Sequence, residues 1–256
     1  MPALDIKYSD YTAWNPRQYL EDYYSGIMSD EQYCLEFLVD ALRKVQDVDV
    51  ALDFGSGPII SHVLPLANKA KEIHLSEYVE SNLVELKKWL SADPSAYNWR
   101  LFTQTVLELE RGIEPTASES HQRENAIREK VTQVMLGDVR NTNPLGEGKR
   151  NSYPLVTAHY CAEGVSLSKD EWYMYMGNIM SMVQTGGTLI TSACGSGNYY
   201  RVGENCFPST EITPQDVLSC FLDNGFVNLD LRIRDLPECA EQGFFYTIFS
   251  SGIKSS

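Results

Sequence analysis

The strongest constraint on the fold is a change of rhythm that begins at residue 48. Short apolar, largely β-branched runs occupy 48–54 (VDVALDF), 71–78 (KEIHLSEY), 131–139 (VTQVMLGDV), 153–163 (YPLVTAHYCAE) and 188–196 (TLITSACGS). Between them lie segments of helical character. In VESNLVELKKWLSAD, Val79, Leu83, Leu86 and Leu90 share one face. KDEWYMYMGNIMSMVQTGG is expected to be a helix ended by Gly186–Gly187, and IISHVLPLANKA a helix start interrupted by Pro65. Residues 118–130 are polar and read as a helix or a surface excursion. Strands alternating with helices require a mainly parallel sheet covered on both faces, so an α/β doubly wound fold is expected. The last two runs, 227–236 and 243–252, follow each other closely and suggest an antiparallel hairpin at the C-terminal edge.

Before residue 48 the pattern is helical. Asn15 caps a helix with Pro16 at its first position, and residues 33, 34, 37, 38 and 41 form an apolar face in the next. Thr213, Pro214 and Gly225 bracket a further helix near the C-terminus. With 256 residues and no Pro/Gly/Ser-rich linker, one domain is expected: an N-terminal helical part (1–47) on a core (48–256).

The net charge of −14 and the lack of a basic stripe argue against nucleic acid. No run reaches the length of a membrane span, and the N-terminus lacks the pattern of a secretory signal. A cytoplasmic protein with reduced thiols is expected. The six cysteines form no CxxC pair, and the four histidines do not cluster with them along the chain, so no metal site is expected.

The turn LDFGSGP carries glycines at 55 and 57 between a strand and the segment that follows it. Glycine there lets backbone approach a ligand at the carboxyl end of a parallel strand. A P-loop is excluded, and Ile60 in place of a third glycine, together with Asp53, disfavours a dinucleotide oxidoreductase. A plain tight turn stays open on this stretch alone. Glu77, at the end of the second strand, is placed to accept from both ribose hydroxyls of a nucleoside. Asn82 follows close by, and Asp138 ends the third strand where an adenine amino group would lie.

Together with NPRQYLEDYY (15–24), SEYVESNLVELKKWL (76–90), GDVRNTNPLG (137–146), YCAEGVS (160–166) and NYYRVGE (198–204), this turn resembles the nicotinamide, phenylethanolamine and thioether methyltransferase family. That family belongs to the class I S-adenosylmethionine-dependent methyltransferases. The resemblance spans most of the chain. It implies a Rossmann-like core with a seven-stranded sheet and an N-terminal helical lid, S-adenosyl-L-methionine as cofactor, and a small-molecule acceptor. Carried over residue by residue, it places Tyr19, Tyr23 and Tyr24 on the lid over cofactor and acceptor. Asp53, Gly55, Ser56 and Gly57 belong to the cofactor turn. Glu77, with Tyr78 and Asn82, holds the ribose, and Asp138 and Val139 frame the adenine. Glu163 matches an acid that faces the acceptor amine, and Glu238 or Glu241 falls where amine-binding members place another acid. Tyr24 and His159 join Glu163 as candidate catalytic groups, and strand alternation would put 159, 161 and 163 on one side.

The chain also departs from the pattern. Ile59 and Ser61 stand where the family often has Thr and Tyr. Ala193 stands where nicotinamide-type members carry Asp, which argues against nicotinamide as acceptor. The expected activity is N-methylation of a small amine or guanidine-like metabolite by a monomer, with no metal. An O- or S-methyltransferase and an inactive cofactor-binding regulator are the alternatives. The WYMYM stretch (172–176) reads as helix packing, and Cys161 and Cys194 as small buried residues.

Overall fold

A computed structural model describes residues 7–255, apart from the side chain of Glu241. After a 3₁₀ turn at Tyr11–Ala13 come α1 (Pro16–Tyr24) and α2 (Ser29–Arg43). The Asn15 side chain accepts from the amides of Arg17 and Gln18, so α1 starts at its expected cap. The core follows with β1 (Val48–Phe54), β2 (Ala70–Glu77), α3 (Glu80–Leu90), α4 (Arg100–Arg111), α5 (Ala117–Lys130) and β3 (Val131–Leu136). Next are β4 (Tyr153–His159), α6 (Lys169–Met180), β5 (Val183–Gly195), β6 (Tyr199–Val202) and β7 (Asn205–Pro208). The chain ends with α7 (Pro214–Asp223), β8 (Phe226–Asp235) and β9 (Tyr246–Lys254).

Seven strands form one sheet in the order β3-β2-β1-β4-β5-β9-β8. The first five run parallel; β9 lies antiparallel between β5 and β8. The C-terminal pair is therefore antiparallel as expected, with its second strand inserted into the sheet. Strand order reverses between β1 and β4, and that reversal opens a crevice at their carboxyl ends. One face is covered by α2, α3, α4 and α5, with Leu38, Leu86, Phe102 and Ile127 in one apolar cluster. The other face is covered by α6 and α7, with Trp172, Ile179, Val217 and Phe221 in a second cluster. The aromatic stretch of α6 is thus packing.

Several local expectations are corrected. Residues 59–69 form turns and a 3₁₀ helix (Leu64–Asn68) instead of an α-helix start. Pro65 lacks the N–H that would continue an α-helical ladder, and the short 3₁₀ helix starts around it. α6 stops at Met180, and Gly186 and Gly187 lie inside β5, where the pairing with β4 shifts register. α4 and the two-stranded β6–β7 sheet were not legible. The helix α2, expected as part of a lid, is a core helix: Phe37 packs against Phe249 of β9 with ring centroids 5.6 Å apart.

Candidate active site

The turn after β1 has the backbone its glycines permit. Gly55 and Gly57 have φ of +72° and +60°, the left-handed region that other residues enter at a cost. The amides of Gly55 and Ser56 both donate to the Ser76 carbonyl, at 2.8 and 2.9 Å, which folds the turn over the end of β2. A Cβ on Gly55 would stand 2.3 Å from Cys161 Sγ, so this close approach admits glycine only.

Glu77 ends β2 and is buried. Its Oε2 accepts from the Gly57 amide at 2.9 Å, and its Oε1 accepts from the Val79 amide at 2.7 Å and from Asn82 Nδ2 at 3.3 Å. Burial pushes its carboxyl up, and these donors pull it back down. Trp14 Nε1 donates to Asn82 Oδ1 at 2.7 Å. Asp138 is bonded by Arg140 through Nε and one terminal nitrogen, each at 2.8 Å, which holds its carboxyl below the usual range. The Arg140 guanidinium lies 4.5 Å above the Tyr78 ring. Val139 is buried, and its carbonyl accepts from Asn178 Nδ2 at 2.9 Å.

These groups line one large cavity, together with Tyr19, Tyr23, Tyr24, His159 and Glu163. Glu163 is 3 % exposed, and its Oε1 accepts from the Cys194 amide at 2.9 Å. Burial raises its pKa from 4.5 to about 7. At neutral pH it can therefore both receive and release a proton. Tyr24 is buried against Trp99 and Phe102, and burial holds its phenol protonated well above the usual range. It can donate a hydrogen bond but cannot act as a base at neutral pH. Tyr23 ties α1 to β6 through a 2.8 Å bond from its hydroxyl to the Arg201 carbonyl.

Five expectations change here. Asp53 does not line the cavity: it is buried beneath the turn and accepts from the Thr157 hydroxyl at 2.6 Å, so it supports the turn from within the sheet. Residues 159, 161 and 163 do face one cavity, but not by strand alternation: β4 ends at His159, Tyr160 has φ +51° and lines the cavity too, and Glu163 opens a 3₁₀ turn. His159 borders the cavity but is buried, and its Nδ1 lies 2.8 Å from Ser192 Oγ, so it is a hydrogen-bonded structural residue. Burial and the neighbouring His62 lower its pKa well below 6.5. Glu238 is exposed on the Pro237–Gln242 turn and does not line the cavity; the Glu241 side chain lies outside the described residues. Cys161 and Cys194 line the cavity instead of the core, although burial keeps both as thiols.

Sequence reasoning missed Asp30 and Glu31. They sit in the first turn of α2, where acids ordinarily serve the helix dipole, and nothing in the sequence marked them as lining the cavity. Burial, then Glu31, raises the Asp30 carboxyl to about 6. Also missed were the lining aromatics Tyr11, Trp14, Tyr160, Tyr199 and Tyr200 and the residue Phe244. Tyr200 lies in a stretch that carried the family resemblance, but no side-chain direction could be assigned to it.

The sheet order and the crevice at its reversal point define a Rossmann-like methyltransferase fold. It is shared with a methyltransferase from Clostridium acetobutylicum (TM-score 0.57, 11 % identity, 94 % of this chain and 98 % of that one). It is also shared with magnesium protoporphyrin IX methyltransferase from Synechocystis PCC 6803, solved with bound SAH (TM-score 0.57, 14 % identity, 93 % and 94 %). The NNMT/PNMT/TEMT family profile matches residues 5–243, and the chain belongs to that family. Nicotinamide N-methyltransferase of Homo sapiens is 29 % identical over 83 % of this chain and 82 % of its own length. Indolethylamine N-methyltransferase of Oryctolagus cuniculus is 30 % identical over 82 % and 81 %. Phenylethanolamine N-methyltransferase of Macaca mulatta is 27 % identical over 75 % and 67 %.

Proposed function

We propose that the protein transfers a methyl group from S-adenosyl-L-methionine to the nitrogen of a small amine or guanidine-like metabolite. The observation that carries this reading is the buried Glu163 carboxyl in the same cavity as the Gly55–Gly57 turn and Glu77. The residues fit the cofactor. A Cβ built on Gly57 meets nothing nearer than Ile59 Cγ1 at 3.8 Å, so backbone there is open to the cavity. The Glu77 carboxylate stands beside it at the end of β2. Gly55, Ser56 and Gly57 would lie along the methionine portion, Glu77 and Asn82 at the ribose, and Tyr78, Asp138 and Val139 at the adenine. The cofactor, when bound, supplies a methyl group on a positively charged sulfur, open to in-line attack.

The chain's own residues do the rest. Glu163 binds the acceptor as an ammonium and takes its proton, directly or through one water, which frees the nitrogen lone pair. Asp30 adds a half-buried carboxyl to the cavity wall, favouring a cationic acceptor. Tyr19, Tyr23 and Tyr24 are broad and stiff, and exclude water from the reacting atoms. On this reading the N-terminal segment through α1 acts as a lid, and the protein works as a cytoplasmic monomer. Among the described residues no helix is long and apolar enough to cross a membrane. Alanine at 193 weighs against nicotinamide as the acceptor. Mass spectrometry of a panel of small amines incubated with protein and cofactor tests the reading: a gain of one methyl on nitrogen is expected. Bound cofactor with no methylated amine, alcohol or thiol in the panel would favour a cofactor-binding regulator.

A further inference from the structure

The fold gathers a set of metal-ligating side chains that are scattered along the chain. Glu31 and Cys34 sit three residues apart on one face of α2, and His62 comes from the turn after β1. One donor atom from each lies within 4.8 Å of the others. Their exposures are 3, 0 and 2 %. His62 Nε2 lies 2.9 Å from Glu31 Oε2 and 3.6 Å from Cys34 Sγ. His159 Nδ1 also lies 3.6 Å from Cys34 Sγ, and Ser192 Oγ lies 3.2 Å from it.

Hydrogen bonding alone accounts poorly for this arrangement. His62 Nε2 is paired with Glu31 Oε2 at 2.9 Å and His159 Nδ1 with Ser192 Oγ at 2.8 Å, yet both ring nitrogens and the hydroxyl also crowd Cys34 Sγ, a weak partner for any of them. Glu31 Oε1, the second oxygen of the same carboxylate, is buried without a hydrogen-bond partner among the described residues, and such an atom carries a desolvation cost. A cation answers the convergence. Zinc bonds sulfur at about 2.3 Å and nitrogen at about 2.0–2.1 Å, which puts S and N about 3.6 Å apart in a tetrahedral site. That is the His62–Cys34 separation. The His62–Glu31 pair would need to open by a few tenths of an ångström from 2.9 Å.

We propose that Glu31, Cys34 and His62 bind a zinc ion, with His159 bordering the fourth position. Carboxylate, thiolate and imidazole together suit zinc among the common divalent metals. One carboxylate and one thiolate cancel the charge of the ion, so the site adds no net charge to a cavity that is to accept an amine. It would pin α2, which carries Asp30, onto the turn that forms the cofactor cradle. The site stands apart from the methyl-transfer reading and is tested without it.

The test is metal analysis of the full chain, purified without chelator, followed by exchange with cobalt(II). About one zinc per chain is expected. The cobalt form should show a near-ultraviolet thiolate-to-metal band with visible bands of tetrahedral type. Cys34→Ser should abolish the ultraviolet band, and both Cys34→Ser and His62→Asn should weaken zinc retention against a chromophoric chelator by more than the ~100-fold that outer-shell changes reach. Far-ultraviolet circular dichroism and cooperative thermal unfolding report whether each variant is folded. Wild-type protein that takes up neither metal, or a thiolate band that survives in folded Cys34→Ser, overturns the assignment. If a variant fails to fold, the wild-type cobalt spectrum decides, since absence of its thiolate band is sufficient to reject the site.

Discussion

Trp14 Nε1 donates to Asn82 Oδ1 at 2.7 Å, and this bond, together with the Arg17–Glu85 ion pair at 2.8 Å, joins the N-terminal segment to the helix that follows the second strand. Asn82 in turn donates to Glu77 at 3.3 Å, and Glu77 accepts from the Gly57 amide at 2.9 Å. The segment that covers the cavity is therefore linked to the carboxylate expected to hold the ribose. Removing the indole donor with Trp14→Phe keeps most of the packing against Tyr19 and Phe207. Loss of one buried hydrogen bond, about 1 kcal/mol, should weaken S-adenosylhomocysteine binding roughly five- to tenfold by calorimetry. Unchanged affinity would show that this bond does not couple the segment to the cofactor site.

Glu77→Ala removes the acceptor for the Gly57 and Val79 amides as well as the ribose contacts. Bonds to a charged group contribute about 1.5–3 kcal/mol each, so an affinity loss on the order of 100-fold or more is expected in the same titration. A cofactor that binds equally well to this variant does not lie where the family resemblance places it.

Glu163→Gln should leave S-adenosylhomocysteine affinity within about twofold, while kcat falls on the order of 10²-fold or more, the range for a lost proton acceptor. Because the carboxyl is raised to about 7, the wild-type rate should fall as pH drops below that value, and the variant should lack this limb. Stability has the opposite dependence. The folded state holds the proton more tightly than the unfolded chain, so this group's contribution is full below 4.5 and declines up to about 7. Unfolding titrations across that range should show a decline that the variant lacks.

The two turn glycines should respond differently to alanine. Both lie at positive φ, which costs about 1–2 kcal/mol. At Gly55 the new methyl also meets Cys161 Sγ at 2.3 Å, whereas at Gly57 the nearest atom is 3.8 Å away. Gly55→Ala should lose the larger share of stability in denaturant unfolding, and Gly57→Ala should stay folded. Equal losses would mean that Cys161 moves aside freely.

Thr213 caps α7, accepting from the Asp216 amide while Asp216 reaches back to the Thr213 amide. Thr213→Ala should cost about 0.5–2 kcal/mol, read as a Tm lowered by a few degrees, with methyl transfer unaffected. The cap lies outside the cavity lining.

Much of the architecture was legible because it rests on local rules. The apolar runs of β1, β2 and β4, the caps at Asn15 and Thr213, and the glycines at 55 and 57 each report on a few neighbouring residues. The acid at 77 was legible from its place at a strand end, and the acid at 163 only from the family resemblance; both line the cavity. Failures occurred where a local rule met a tertiary demand. Residues 59–69 look helical, yet they pack into the core as turns and a short 3₁₀ helix around Pro65. Asp53 looks like part of a cofactor turn, yet the neighbouring strand supplies Thr157 and draws its carboxyl into the sheet.

By itself, the sequence determined the order of strands and helices, the backbone freedom of the turn after β1, and the supply of carboxylates at strand ends. These depend on propensity, periodicity and the absence of a Cβ, all of which act within a few residues. Only the tertiary structure decided that Asp30 lines the cavity and Glu238 does not, and that Glu31, Cys34 and His62 meet in one buried place. Those outcomes depend on how α2 packs against the sheet. Its apolar face rolls it onto Phe249 and the turn after β1, and that rotation carries its polar residues inward.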